Sequence, residues 1–164
     1  KISSKPLIGI CWRSAFSEPV PFIYAKLDEL ISCLPEGDYC LVNLQYGDFS
    51  ADIVRIESEL GVKIHEIPDL NQLEDLDGVA ALISCLDLVI APSSSVLHLS
   101  CALGVPTIST YYPNFRSDAR TDPLFGNCLP VLKPDDVFYS SVVAERTGIA
   151  TRHFLKFGEL PFKN

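Results

Sequence analysis

Methionine is absent from this sequence, and the chain starts at Lys1. That combination is expected of a domain excised from a longer protein, or of a sequence with its methionine positions left out. Also lacking is any apolar run near the roughly 18 to 20 residues needed to cross a bilayer. Nothing resembles a signal peptide, so no transmembrane segment is expected and the setting is expected to be cytoplasmic. Basic residues are scarce, 13 Lys and Arg against 21 Asp and Glu, for a formal net charge of -8. Nucleic acid is thereby excluded, because a phosphate backbone needs a basic face. A nucleotide is not excluded, since local dipoles and one or two cations suffice for it. No C-x-x-C pair occurs among Cys11, Cys33, Cys40, Cys85, Cys101 and Cys128, which disfavours zinc and disulfide frameworks. Cys11, Cys40, Cys85 and Cys101 lie in or beside apolar runs and read as buried, reduced thiols in a reducing compartment.

What is present is alternation. Apolar runs of strand character at 6–12, 39–47, 62–68, 87–92 and 105–112 are separated by segments with helical spacing at 21–34, 50–60, 73–86 and 94–104. Ser50 is a plausible helix cap, and Gly61 and Gly104 are stops. Beyond Pro113 the signal weakens to a polar loop, a short strand at 130–132 and a helix expected over 134–147. Strands alternating with helices imply crossovers, hence a parallel sheet covered on both faces. The fold class is α/β, a three-layer Rossmann-like domain spanning 1–164, with its core at 6–113 and a less certain segment at 114–164.

Ligands of such sheets lie outside the carboxyl ends of the strands. Neither a G-x-G-x-x-G loop nor a P-loop is present there, which disfavours a plain dehydrogenase or NTPase. The sharpest feature is Ala91-Pro92-Ser93-Ser94-Ser95-Val96-Leu97-His98-Leu99. Three hydroxyls open a helix whose first N–H groups are unpaired and carry partial positive charge. Ser93, Ser94, Ser95 and, one turn on, His98 would suit an anion such as a diphosphate. A capping serine and a satisfied core histidine would explain the same pattern. Arg13, after the first strand, could grip a phosphate with two hydrogen bonds. A surface salt bridge is its ordinary alternative. Asp48 suits ribose hydroxyls, or else caps its helix, and Gln45 is a weaker neighbouring candidate. His65 and His153 receive no role.

The segment "LISCLDLVIAPSSSVLHLSCALGVPTIS" resembles the nucleotide-sugar-binding half of two-domain (GT-B) glycosyltransferases. It is most similar to the family-nine transferases, which include the lipopolysaccharide heptosyltransferases. Their pattern, roughly Asp-Thr-Gly/Ser-x-x-His-Leu-Ala-x-Ala-Leu-Gly-x-Pro, falls without gaps on Ser93 to Pro106. "GICWRS" and "LVNLQYGD" also resemble the C-terminal domains of bacterial proteins that join tetratricopeptide repeats to such a half. The resemblance covers about residues 6 to 113. It implies that Ser94, Ser95 and His98 hold the donor diphosphate, that Arg13 contacts phosphate and Asp48 the ribose, and that the base lies near Pro68 to Leu70. The family's acidic residue is replaced by Ser93. The implied partners are a nucleotide sugar, an acceptor-binding half carrying the general base, and tetratricopeptide repeats. The isolated segment is then expected to bind a donor and not turn it over.

No D-x-D motif is identified beside the serine loop for Mg²⁺ or Mn²⁺, and "PDD" at 134–136 lies in the weaker tail, so no metal and no other cofactor are expected. The alternative reading is a non-catalytic interaction or regulatory module next to helical repeats, and a sugar-nucleotide epimerase of the same architecture is a third.

Overall fold

The computed structural model describes residues 5–14, 24–110, 126–132 and 136–161. Six parallel strands form one sheet: β1 (Leu7–Ile10), β2 (Cys40–Asn43), β3 (Ile64–His65), β4 (Leu88–Ala91), β5 (Thr107–Ser109) and β6 (Cys128–Pro130). Their order is β3-β2-β1-β4-β5-β6. Five helices complete the described residues: α1 (Leu27–Cys33), α2 (Ser50–Leu60), α3 (Leu76–Ser84), α4 (Ser95–Ala102) and α5 (Ser140–Phe157). Residues 15–23, 111–112 and 134–135, on which parts of the expected elements fall, lie outside the described residues.

The period of two along each strand divides the core. Ile8, Ile10, Leu41, Leu88, Ile90 and Ile108 face α1, α2 and α5. Val42, Leu44, Val89 and Ala91 face α3 and α4. Every residue of β4 is buried, as a central strand covered on both faces requires. This is the three-layer Rossmann-like arrangement expected from the alternation of elements.

Several boundaries differ from the sequence reading, each for a local reason. Ser50 is the first residue of α2 rather than its cap; Phe49 occupies the capping position and makes no side-chain cap bond. Gly61 does end α2, in the left-handed region at φ 64°. The last strand sits two residues earlier than the 130–132 run. Val131 and Leu132, whose apolar character suggested the strand, are core residues just past its end. The last helix spans 140–157 instead of 134–147. Gly148, just past the expected end, lies mid-helix, where α5 presses on α1 so closely that a Cβ would stand 2.0 Å from the Cys33 carbonyl oxygen. Gly158, at φ 75°, is the actual stop. Among the cysteines, Cys85, the residue that caps the end of α3, is exposed, not buried; Cys33 and Cys40 are half-buried. All six are free thiols.

Candidate functional site

Strand order reverses direction between β1 and β4, and the helices that follow these two strands, α1 and α4, pack on opposite faces of the sheet. A crevice is expected at that switch point. The loop after β1 carries Arg13, and the loop after β4 carries Ser93 to Ser95 and runs straight into α4. Just past β1, the Cys11 N–H donates to the carbonyl of Ile90 in β4 at 2.9 Å, which extends the pairing of these two strands to the start of the loop that carries Arg13.

Ser94 is the N-cap of α4. Its extended backbone (φ -155°, ψ 171°) aims Oγ at the Leu97 N–H, 3.5 Å away, and the hydroxyl donates to the Pro92 carbonyl at 3.1 Å. Both capacities of that hydroxyl are therefore engaged within the loop. Ser93 is half-buried and Ser95 is exposed on the first turn. His98 is half-buried, with Nδ1 2.7 Å from the Ser94 carbonyl. A carbonyl can only accept, so Nδ1 carries the proton.

Gln45 is fully buried. Its Oε1 accepts from the backbone N–H groups of Trp12 (3.0 Å) and Arg13 (2.9 Å), and its Nε2 donates to the Tyr46 carbonyl at 3.0 Å. The side chain considered for a ribose or base contact is thus an internal clamp between the exits of β1 and β2. Asn43, also fully buried, supports it by accepting from the Gln45 N–H at 2.8 Å. The sequence reading passed over Asn43.

Arg13 points along the same edge. One guanidinium nitrogen donates to the Asp48 carbonyl and another lies 3.0 Å from Asp52 Oδ2. The structure therefore brings Arg13 and Asp48 together through the main chain of Asp48, whose residue is exposed. Beside them a cleft of about 330 Å³ opens beyond the ends of β2 and β3, lined by Asn43, Tyr46, Phe49, Leu70, Gln72 and Leu73 among others. Leu70 lines it; Pro68 is exposed and does not. A larger groove of about 660 Å³ lies at the opposite, amino-terminal edge, among Leu34, Tyr39, Leu60 and Val62. It is remote from the switch point, whereas the smaller cleft lies on the same carboxyl-terminal side of the sheet as Arg13 and Asp48.

Among the described residues no group of three or more His, Cys, Asp or Glu is placed to hold a metal ion. A D-x-D spacing does occur at Asp75-Leu76-Asp77, which the sequence reading overlooked. Asp75 caps α3 by accepting from the Gly78 N–H at 2.8 Å, and Asp77 stands in the first helical turn. Burial pushes the Cys11 thiol up to about 12, partly offset by its hydrogen bonds. It is a packed hydrophobe, not a nucleophile. Among the described residues no helix is long and apolar enough to cross a membrane.

Residues 68–128 match the sequence family described as Glycosyltransferase family 9 (heptosyltransferase). Protein FlbA of Caulobacter vibrioides is 35% identical over 109 residues, which is 65% of this chain and 18% of that protein. Among solved structures, E. coli ADP-heptose lipopolysaccharide heptosyltransferase II shares 20% identity at a TM-score of 0.67, over 94% of this chain and 47% of that one. A family 9 glycosyl transferase from Veillonella parvula DSM 2008 shares 16% at 0.63, with the same coverage of 94% and 47%. The chain thus spans about half the length of these structures and under a fifth of FlbA. The serine loop and α4 at the switch point therefore lie inside a segment, residues 68–128, that matches glycosyltransferase family 9 (heptosyltransferase), on a fold shared with the solved heptosyltransferases.

Proposed function

We propose that this chain is the donor-binding half of a glycosyltransferase and holds the diphosphate of a nucleotide-activated sugar. One observation carries the reading: the family 9 segment contains the helix N-terminus that sits at the switch point of the sheet. A sheet neighbour in fold, an E. coli heptosyltransferase with ADP-2-deoxy-2-fluoro heptose (17% identity, TM-score 0.57), accords with a sugar nucleotide as ligand.

The chemistry follows from charge. As the glycosidic bond breaks, the leaving nucleoside diphosphate gains negative charge. The unpaired N–H groups of α4, the hydroxyls of Ser93 and Ser95, His98 and Arg13 are the groups that stabilise it. Ser94 contributes by fixing the start of the helix rather than through its own hydroxyl. Asp48 and the cleft at Leu70 receive ribose and base, and no metal is required. The acceptor, the general base and any tetratricopeptide repeats belong to other parts of a longer protein, and six free thiols suit a reducing, cytoplasmic setting. The isolated chain binds donor without turnover.

Calorimetric titration of the chain with UDP, ADP, GDP and CMP, beside His98→Ala, tests this. Sub-millimolar binding of one diphosphate, weakened about tenfold (about 1.4 kcal/mol) in the variant, is expected. No heat with any of them points to the second reading, a non-catalytic interaction module. The serine at position 93, where the family carries an acidic residue, is the feature that favours it.

A further inference from the structure

Trp12 and Arg13 leave β1 side by side and converge on a single atom. The indole Nε1 donates to Asp52 Oδ2 at 3.2 Å, and the Arg13 guanidinium lies 3.0 Å from the same oxygen. Asp52 stands in the first turn of α2, where the helix dipole favours a carboxylate. Its backbone N–H donates to the Phe49 carbonyl at 3.0 Å, so the turn that presents it is itself hydrogen-bonded. Trp12 is buried, whereas Arg13 is half exposed.

We propose that Asp52 is the positioning residue for Arg13, holding its guanidinium at the switch-point crevice for the diphosphate. The inference rests on the donor-binding reading above. Two effects of Asp52 oppose each other. Its charge offsets that of Arg13, which would weaken attraction for an anion. Its hydrogen bond also removes the rotamer freedom that a long, exposed side chain would otherwise lose on binding. At a solvent-exposed guanidinium the charge term is screened, so preorganisation wins. The fork still has capacity: a guanidinium has five N–H donors, and among the described residues the bonds to Asp52 and to the Asp48 carbonyl are those that engage it. A phosphate can therefore be added without displacing Asp52. Trp12, the sole tryptophan of the chain, shares the anchor and is a built-in optical probe of it.

The test is a double-mutant cycle on the 164-residue chain with Arg13→Ala, Asp52→Asn and both together. Affinity for the nucleoside diphosphate that binds best, and for inorganic pyrophosphate, is read by calorimetry, and Trp12 emission is read with and without ligand. We expect Asp52→Asn to weaken binding about fivefold to tenfold, and to add nothing in the Arg13→Ala background. Ligand is expected to change Trp12 emission in the wild type, with a smaller change in Asp52→Asn. Asp52→Glu, if Asp52→Asn misfolds, is expected to recover part of the affinity. Tighter binding in Asp52→Asn, or an equal loss in both backgrounds, overturns the positioning role while leaving the donor site standing. A wild-type chain that binds neither ligand overturns both.

Discussion

His98 turns its Nδ1 onto the carbonyl of Ser94, 2.7 Å away, while its own backbone N–H donates to the same oxygen at 3.2 Å. The imidazole is thereby tied to the turn that starts α4, one helical turn from the exposed amides. The two residues have separable roles. Ser94→Ala removes the cap bond to Leu97 and is expected to cost about 1 kcal/mol of stability, read as a lower denaturant midpoint. His98→Ala is expected to leave that midpoint within about 0.5 kcal/mol of wild type and to weaken diphosphate binding about tenfold. Equal stability losses in both variants would make His98 a structural residue.

Gln45 joins two strand exits from the inside. Replacing it with leucine keeps the volume but strands the N–H groups of Trp12 and Arg13 in the interior. Each buried unsatisfied group costs about 1–3 kcal/mol, so Gln45→Leu is expected to lose about 3 kcal/mol in a denaturant titration. Gln45→Glu, which keeps the acceptor, should lose less of the clamp but brings a charge into a fully buried site. A leucine variant as stable as wild type would remove the clamp from the account.

Gly148 and Gly61 provide a paired test of packing against backbone geometry. At Gly148 a methyl group would meet the Cys33 carbonyl oxygen at 2.0 Å, backbone that cannot swing aside. Gly148→Ala is expected to cost about 3 kcal/mol or to push α5 off α1. Gly61→Ala meets nothing within 4 Å but retains a left-handed φ of 64°, and about 1 kcal/mol is expected. Thermal unfolding of the two variants ranks them, and a milder effect at position 148 would show that the helices re-space easily.

The sequence made the layering legible because its periodicities are driven by burial: Leu88 and Ile90 go to one face, Val89 and Ala91 to the other. The placement of the serine loop at a strand-to-helix junction was legible for the same reason. What stayed hidden were contacts between distant segments. Gln45 looked like a ligand contact since no local pattern shows that its amide meets the Trp12 and Arg13 backbone 32 to 33 residues away. Asp52 was not singled out in the sequence, because its link to Arg13 and Trp12 needs β1 and β2 side by side. The helix expected over 134–147 stops short of Gly148, whose place in a helix–helix contact shows only in three dimensions.

Thiol chemistry separates the cysteines by depth. Burial raises the Cys11 thiol to about 12 from an ordinary 9.0, so between those values the folded chain holds a proton that the unfolded chain has released. Fewer protons on the unfolded state mean that stability falls as pH rises. The Cys11 contribution is intact below pH about 9 and is lost at about 1.4 kcal/mol per pH unit up to about 12. Cys128 is also raised, by its bond to Cys101 and by burial, and Tyr39 is raised by burial, so the wild type should show a steep alkaline limb. Cys11→Ala is expected to flatten that limb relative to wild type while leaving Cys128 and Tyr39 to supply the remainder. Iodoacetamide followed by peptide mass analysis gives the companion result: exposed Cys85 modified first, and Cys11 only when the chain unfolds. Early modification of Cys11, or an alkaline limb unchanged by its removal, would mean that the β1 exit opens in the folded state. The Gln45 clamp would then be weaker than its hydrogen bonds imply.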